Sequence, residues 1–179
     1  GASIDRRSAR SHSLSPVHSF SYRDKVLHCE DVNLEKLADQ IGTPVYVYSG
    51  QTIRTNFRRL RTALQPLDHM ICYAVKACSN LAILSLLTRE GAAFDIVSGG
   101  ELFRVLQAGG RADVCTFAGV GKTEEEIAEA LRAGIHCFNV ESEPELERIN
   151  AIAEQLDKKA PVAVRVNPDV DAKTHKYIS

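Results

Sequence analysis

From Pro44 onward the sequence alternates short apolar runs with amphipathic helical segments, and this rhythm limits the possible folds more than any other feature. The strand candidates are residues 44–49, 70–75, 92–97, 114–118, 137–140 and 161–166. Helices are expected between them at 51–64, 81–89, 100–108, 124–133 and 143–156. Thr123 followed by Glu126 spells a capping box, and Gly91, Gly109 and Gly134 are helix stops. Ile127, Ala130 and Leu131 share one side of their helix, as packing on a sheet requires. Such alternation gives a parallel sheet, either open and doubly wound or closed as a (β/α)8 barrel. An open nucleotide-binding sheet usually carries a glycine fingerprint after its first strand, and Ser49-Gly50-Gln51 is not one. The favoured reading is an α/β chain holding part of a (β/α)8 TIM-type barrel, with about six of its eight strands. The sequence ends at Tyr177, Ile178 and Ser179 with no closing element, so a cut is expected there.

Ahead of this region, residues 1–19 are rich in Ser, Arg and His and nearly free of acids, which predicts a disordered tail. A start at Gly1 without Met suggests processing or a remnant of an organelle transit segment. Residues 20–43 read as two short strands about a polar turn at 23–25, then a short helix at 34–41 capped by Asn33 and stopped by Gly42. Residues 44–179 are then the incomplete barrel.

With 44% hydrophobic and 25% charged residues the chain has a soluble composition, and its net charge of −1 without a basic stripe gives no support to nucleic-acid binding. No apolar run approaches the roughly 18 residues that span a membrane. The five cysteines are odd in number and show no C-x-x-C pair, so reduced, buried thiols in a cytoplasmic protein are expected.

In a barrel, chemistry sits at the carboxyl ends of strands. Lys76 follows the second strand candidate directly, sharing a face with Cys72 and Ala74. It is either a solvated strand-end lysine or an amine whose pKa is lowered by desolvation, competent to attack an aldehyde. Asp95 and Arg165 point inward from their own strands, and Asn139, Glu141 and Asn167 lie at strand ends. Lys76, Asp95 and Arg165 therefore aim at one mouth, where they either pair structurally (Asp95 with Arg165 or with Lys76) or hold an ionic ligand. Gly99 and Gly100 allow a close backbone approach or a plain turn. The AGVGK stretch, 118–122, is similar to a phosphate loop only superficially, because Walker spacing is absent.

Three blocks, YAVKACSN (73–80), FDIVSGGEL (94–102) and VRVNPDVDAKTHKYIS (164–179), resemble the diaminopimelate decarboxylase family of pyridoxal-phosphate decarboxylases with an alanine-racemase-like barrel. FNVESEPEL (138–146) fits as well. The resemblance implies that Lys76 carries pyridoxal 5'-phosphate and that Asp95 and Arg165 lie close to the cofactor ring. It implies decarboxylation of the amino acid meso-2,6-diaminopimelate to L-lysine and carbon dioxide, in a homodimer. Cys78 stands where relatives often have Asn, and Lys176 where Pro is frequent. The family's ring-stacking histidine, glycine-rich phosphate loop, acidic partner of the pyridine nitrogen and C-terminal β domain correspond to nothing in these 179 residues. Little or no decarboxylase activity is therefore expected of this chain alone, with an exposed sheet edge and with the strands in 20–30 poorly anchored. Ornithine, arginine or a carboxylated polyamine is the alternative substrate, and a non-catalytic fragment that binds a partner protein is the alternative class.

Overall fold

A computed structural model describes residues 18–168, so most of the expected N-terminal tail and the NPDVDAKTH text beyond Pro168, with Lys176, lie outside the described residues. The chain divides after Asn56 into two compact units.

In the first unit β1 (Phe20–Arg23), β2 (Val26–Cys29) and β3 (Val32–Asn33) form an antiparallel sheet in that order. Asp24 and Lys25 join β1 to β2 with positive φ at both positions, the conformation that matches the right-handed twist of a tight hairpin. Helix α1 (Leu34–Ile41) starts where the Asn33 side chain accepts the Lys36 N–H at 3.0 Å. These strands are not loose, contrary to the expectation. Glu30, just past β2, takes hydrogen bonds from Ser49 Oγ and from the Gln51 N–H, both at 2.7 Å. Ser49 Oγ in turn accepts the Thr52 N–H, and Ser19 N–H donates to Thr52 Oγ1, both at 2.9 Å. The bonds from Gln51 and Ser49 hold the Glu30 carboxyl below its ordinary range.

The expected first barrel strand, 44–49, belongs to neither sheet. Its alternating pattern is real, but a strand exists only where a neighbour supplies the ladder, and Tyr46 is 87% exposed. The parallel sheet therefore has five strands among the described residues, not six.

The second unit begins within α2 (Gly50–Leu64) and continues through β4 (Cys72–Ala74), α3 (Leu81–Arg89), β5 (Ala93–Ile96) and α4 (Gly99–Gln107). It goes on through β6 (Cys115–Phe117), α5 (Glu124–Ala133), β7 (Cys137–Val140), α6 (Glu143–Gln155) and β8 (Val162–Val164). The strands pair in parallel in sequence order, β4-β5-β6-β7-β8. Thr123 and Glu126 make both bonds of the capping box at the start of α5, which ends on Gly134 in the left-handed region.

Register separates the two faces of the sheet. Ile96, Phe117 and Phe138 lie opposite one another on neighbouring strands and are fully buried, with the Phe117 and Phe138 rings stacked at 5.9 Å. The other face carries Ala74, Asp95, Thr116 and Cys137 in one row, small or polar and only partly buried. Successive helices α3 to α6 pack side by side, which makes one helical layer over the apolar face. A doubly wound sheet puts helices on both faces. One layer against an unbroken strand order is the arrangement of a barrel wall, with the small, polar row facing the bore.

Candidate active site

At the end of β4 the chain tightens into a single 3₁₀ turn, Val75–Ala77. Val75 is fully buried and fixes this turn to the core, while Lys76 is exposed and forms no ion pair among the described residues. Lys76 thus sits just beyond the strand, not on it. The small residues Ala77, Cys78 and Ser79 follow, and Asn80 caps α3 by accepting the Ala82 N–H at 2.9 Å.

Asp95 lies in the bore row between Ala74 and Thr116 and accepts the Thr116 hydroxyl at 3.0 Å. Burial first, and the Asp95 charge second, raise the thiols of Cys72 and Cys137, so both stay protonated near neutrality. Cys115, on the helix-covered side, is pushed up to about 12, chiefly by burial. All five cysteines are free thiols.

The loops that follow the strands are tied to one another in sequence. Ser98 caps α4 by accepting the Glu101 N–H at 3.2 Å, while Glu101 Oε2 accepts the Val97 N–H at 2.8 Å. Gly99 N–H donates to Glu126 Oε1 at 2.8 Å, joining the loop after β5 to the start of α5. Burial alone would raise the Glu126 carboxyl, but the amides of Thr123 and Gly99 outweigh it and hold the group below its ordinary value. One strand further on, Gly119 N–H donates to Glu141 Oε1 at 3.0 Å.

Beneath that contact lies a buried ion pair. Lys122 Nζ donates to Glu145 Oε1 at 2.6 Å, to Gly119 O at 2.7 Å and to Asn139 O at 3.0 Å, and it stands 5.6 Å over the Phe117 ring. The side chains of Lys122 and Glu145 are 0% and 8% exposed. Lys122 is thereby committed within the protein and is not available to a phosphate, which explains AGVGK without a ligand.

Arg165 follows β8 at the opposite edge of the sheet from Lys76. Its partner is Glu141 at 3.5 Å, not Asp95, and no ion pair joins any two of Lys76, Asp95 and Arg165 among the described residues. Lys76 and Arg165 lie just past the carboxyl ends of β4 and β8, and Asp95 lies within β5, so each belongs to a different βα unit. Asn139 offers its carbonyl to Lys122, and Asn167 is exposed.

Glu145 and Lys122 were not legible as partners, yet a signal existed. Glu145, Ile149, Ile152 and Ala153 form the buried stripe of α6, so an acid occupies a position where the helical period calls for an apolar residue.

An exposed amine with no acidic partner among the described residues, small neighbours and a bore lined by Asp95 and Thr116 suit a group that carries a reactive aldehyde and polar substituents. The pyridoxal binding domain of pyridoxal-dependent decarboxylases matches residues 50–179, and the chain belongs to that family, whose cofactor is pyridoxal 5'-phosphate. Within it, the chain is 55% identical to diaminopimelate decarboxylase of Pseudomonas aeruginosa over 163 residues, which is 91% of this chain and 39% of that protein. Among solved structures, Helicobacter pylori diaminopimelate decarboxylase complexed with L-lysine matches with a TM-score of 0.78 and 44% identity, over 81% of this chain and 37% of that one. The corresponding enzyme of M. jannaschii in complex with L-lysine gives 0.83 and 37% identity, over 89% and 38%. The chain thus spans about two fifths of the length of the relatives it matches.

Proposed function

We propose that this chain is the pyridoxal-binding portion of a decarboxylase that converts meso-2,6-diaminopimelate to L-lysine and carbon dioxide. The observation that carries the reading is the placement of Lys76, exposed at the carboxyl end of β4, in a chain of high identity to diaminopimelate decarboxylases. Lys76 supplies the primary amine that holds the cofactor aldehyde covalently and yields it to the substrate amine. When bound, pyridoxal phosphate provides the sink for the electrons released as the substrate carboxylate departs. Asp95, oriented by the Thr116 hydroxyl, sets a fixed negative charge in the bore. Arg165, beside Glu141, places a cation at the opposite side of the same mouth. A homodimer and a cytoplasmic setting belong to the same reading, and no helix among the described residues is long and apolar enough to cross a membrane.

The test is borohydride trapping of the chain mixed with pyridoxal phosphate, followed by peptide mapping. The expected result is a label concentrated on Lys76 and absent from Lys76→Ala. A trapped label and an absorbance band that both persist in Lys76→Ala sink the assignment. The chain alone is expected to release little or no carbon dioxide from diaminopimelate.

A further inference from the structure

We infer that Lys122 and Glu145 are positioning residues, a buried pair that locks the loop after β6 to the loop after β7 and so presents Glu141 to Arg165 at the mouth of the sheet. The bonds close a ring. Lys122 takes the Gly119 carbonyl and one oxygen of Glu145, and the other oxygen of Glu145 takes the Glu141 N–H at 2.8 Å. Glu141 then returns to the Gly119 N–H with Oε1, leaving Oε2 beside Arg165. Both backbone groups of Gly119 are thereby held, and all three ammonium protons of Lys122 are used.

A buried ion pair is a poor way to gain stability, because apolar residues of similar volume do as well or better. A leucine at 145 would continue the α6 stripe of Ile149 and Ile152. What an apolar pair could not do is hold two backbone carbonyls, of Gly119 and Asn139, and the Glu141 amide in fixed directions. The pair is also 23 residues apart in sequence and spans two βα units, so it sets the distance between loops that local turn geometry leaves free. Its influence on the cofactor site rests on the proposed role of Arg165.

The experiment compares the parent chain with the double variant Lys122→Met/Glu145→Leu, which keeps the volume and removes the polar ring. The expected result is a folded protein in which exchange of the Gly119 and Glu141 amides, followed by NMR, accelerates about 100-fold as local opening becomes easy. The amides of Ala93 and Ile135, which bond to Ile71 O and Ala130 O, should stay within about twofold of the parent. Half-saturation of the borohydride label on Lys76 should need about tenfold more pyridoxal phosphate, a change of one order in an equilibrium constant. Unchanged exchange at Gly119 and Glu141, or acceleration of all four amides together, overturns the inference. If the double variant does not fold, Glu145→Gln carries the same test: faster exchange at Gly119 supports the inference and unchanged exchange overturns it. Lys76→Ala separates the two readings. A label that survives it removes the proposed function, while exchange at Gly119 and Glu141 still decides the positioning role.

Discussion

The middle of the parallel sheet and its two edges treat charge in opposite ways. Between β5 and β7, Glu126, Glu141 and Lys122 bond to backbone groups of a neighbouring βα unit, and Glu145 pairs with Lys122, above the stacked rings of Phe117 and Phe138. At the edges, Lys76 projects from its turn with no ion pair among the described residues, and the Arg165 side chain is 59% exposed and lies 3.5 Å from Glu141. Lys76 and Arg165 thus lie where the structure holds side chains least, whereas Asp95, on β5, is fixed by the Thr116 hydroxyl. Beside Arg165, Val162 and Val164 on β8, and Val166 just beyond it, are also exposed among the described residues.

That contrast can be broken experimentally at either end. The largest effect is expected from Glu145→Ala, which leaves the Lys122 ammonium buried and unpaired; a loss of about 3–5 kcal/mol should appear in the urea midpoint. Gly119→Ala should cost about 1–3 kcal/mol, because Gly119 sits at φ +95°, where a side chain is strained. Thr123→Ala removes one half of the capping box and should cost about 1 kcal/mol, read from the same unfolding curve. Glu126 should confer a pH dependence. Its folded-state pKa is lowered, so its contribution is fully present above the ordinary value of 4.5 and is lost as the pH falls through the lower folded value. Stability measured against pH should therefore decline less steeply below about 4.5 in Glu126→Gln. The smallest effect belongs to the edge: Arg165→Ala should change stability by less than about 1 kcal/mol, and a larger loss would mean that the edge is not the loosely held region described above.

Much of the fold was legible because its signals are local. Asn33 and Thr123 satisfy the first amides of their helices, and each such cap requires only a residue three positions away. The strand expected at 44–49 failed for the opposite reason, since alternation reports what a residue prefers and not whether a neighbouring strand is there to pair with it. The alternative in which Asp95 pairs structurally with Arg165 or Lys76 is not found among the described residues, for a similar reason. Asp95 and Arg165 both face the bore, but β5 and β8 are separated by β6 and β7, and Thr116 and Glu141 lie nearer to each. The role of AGVGK depended on a partner in another helix, which no motif spacing encodes.

The buried Val75 beneath Lys76 has a mechanical consequence. With the preceding residue packed in the core and the 3₁₀ turn closed around it, the α-carbon of Lys76 is a fixed pivot. Any travel of its amine must then come from rotation within its own flexible four-carbon stem. On the proposed function, an amine that binds and releases an aldehyde would return along an arc set by that stem. The reach of the lysine is therefore decided by the one residue in the turn that solvent never touches.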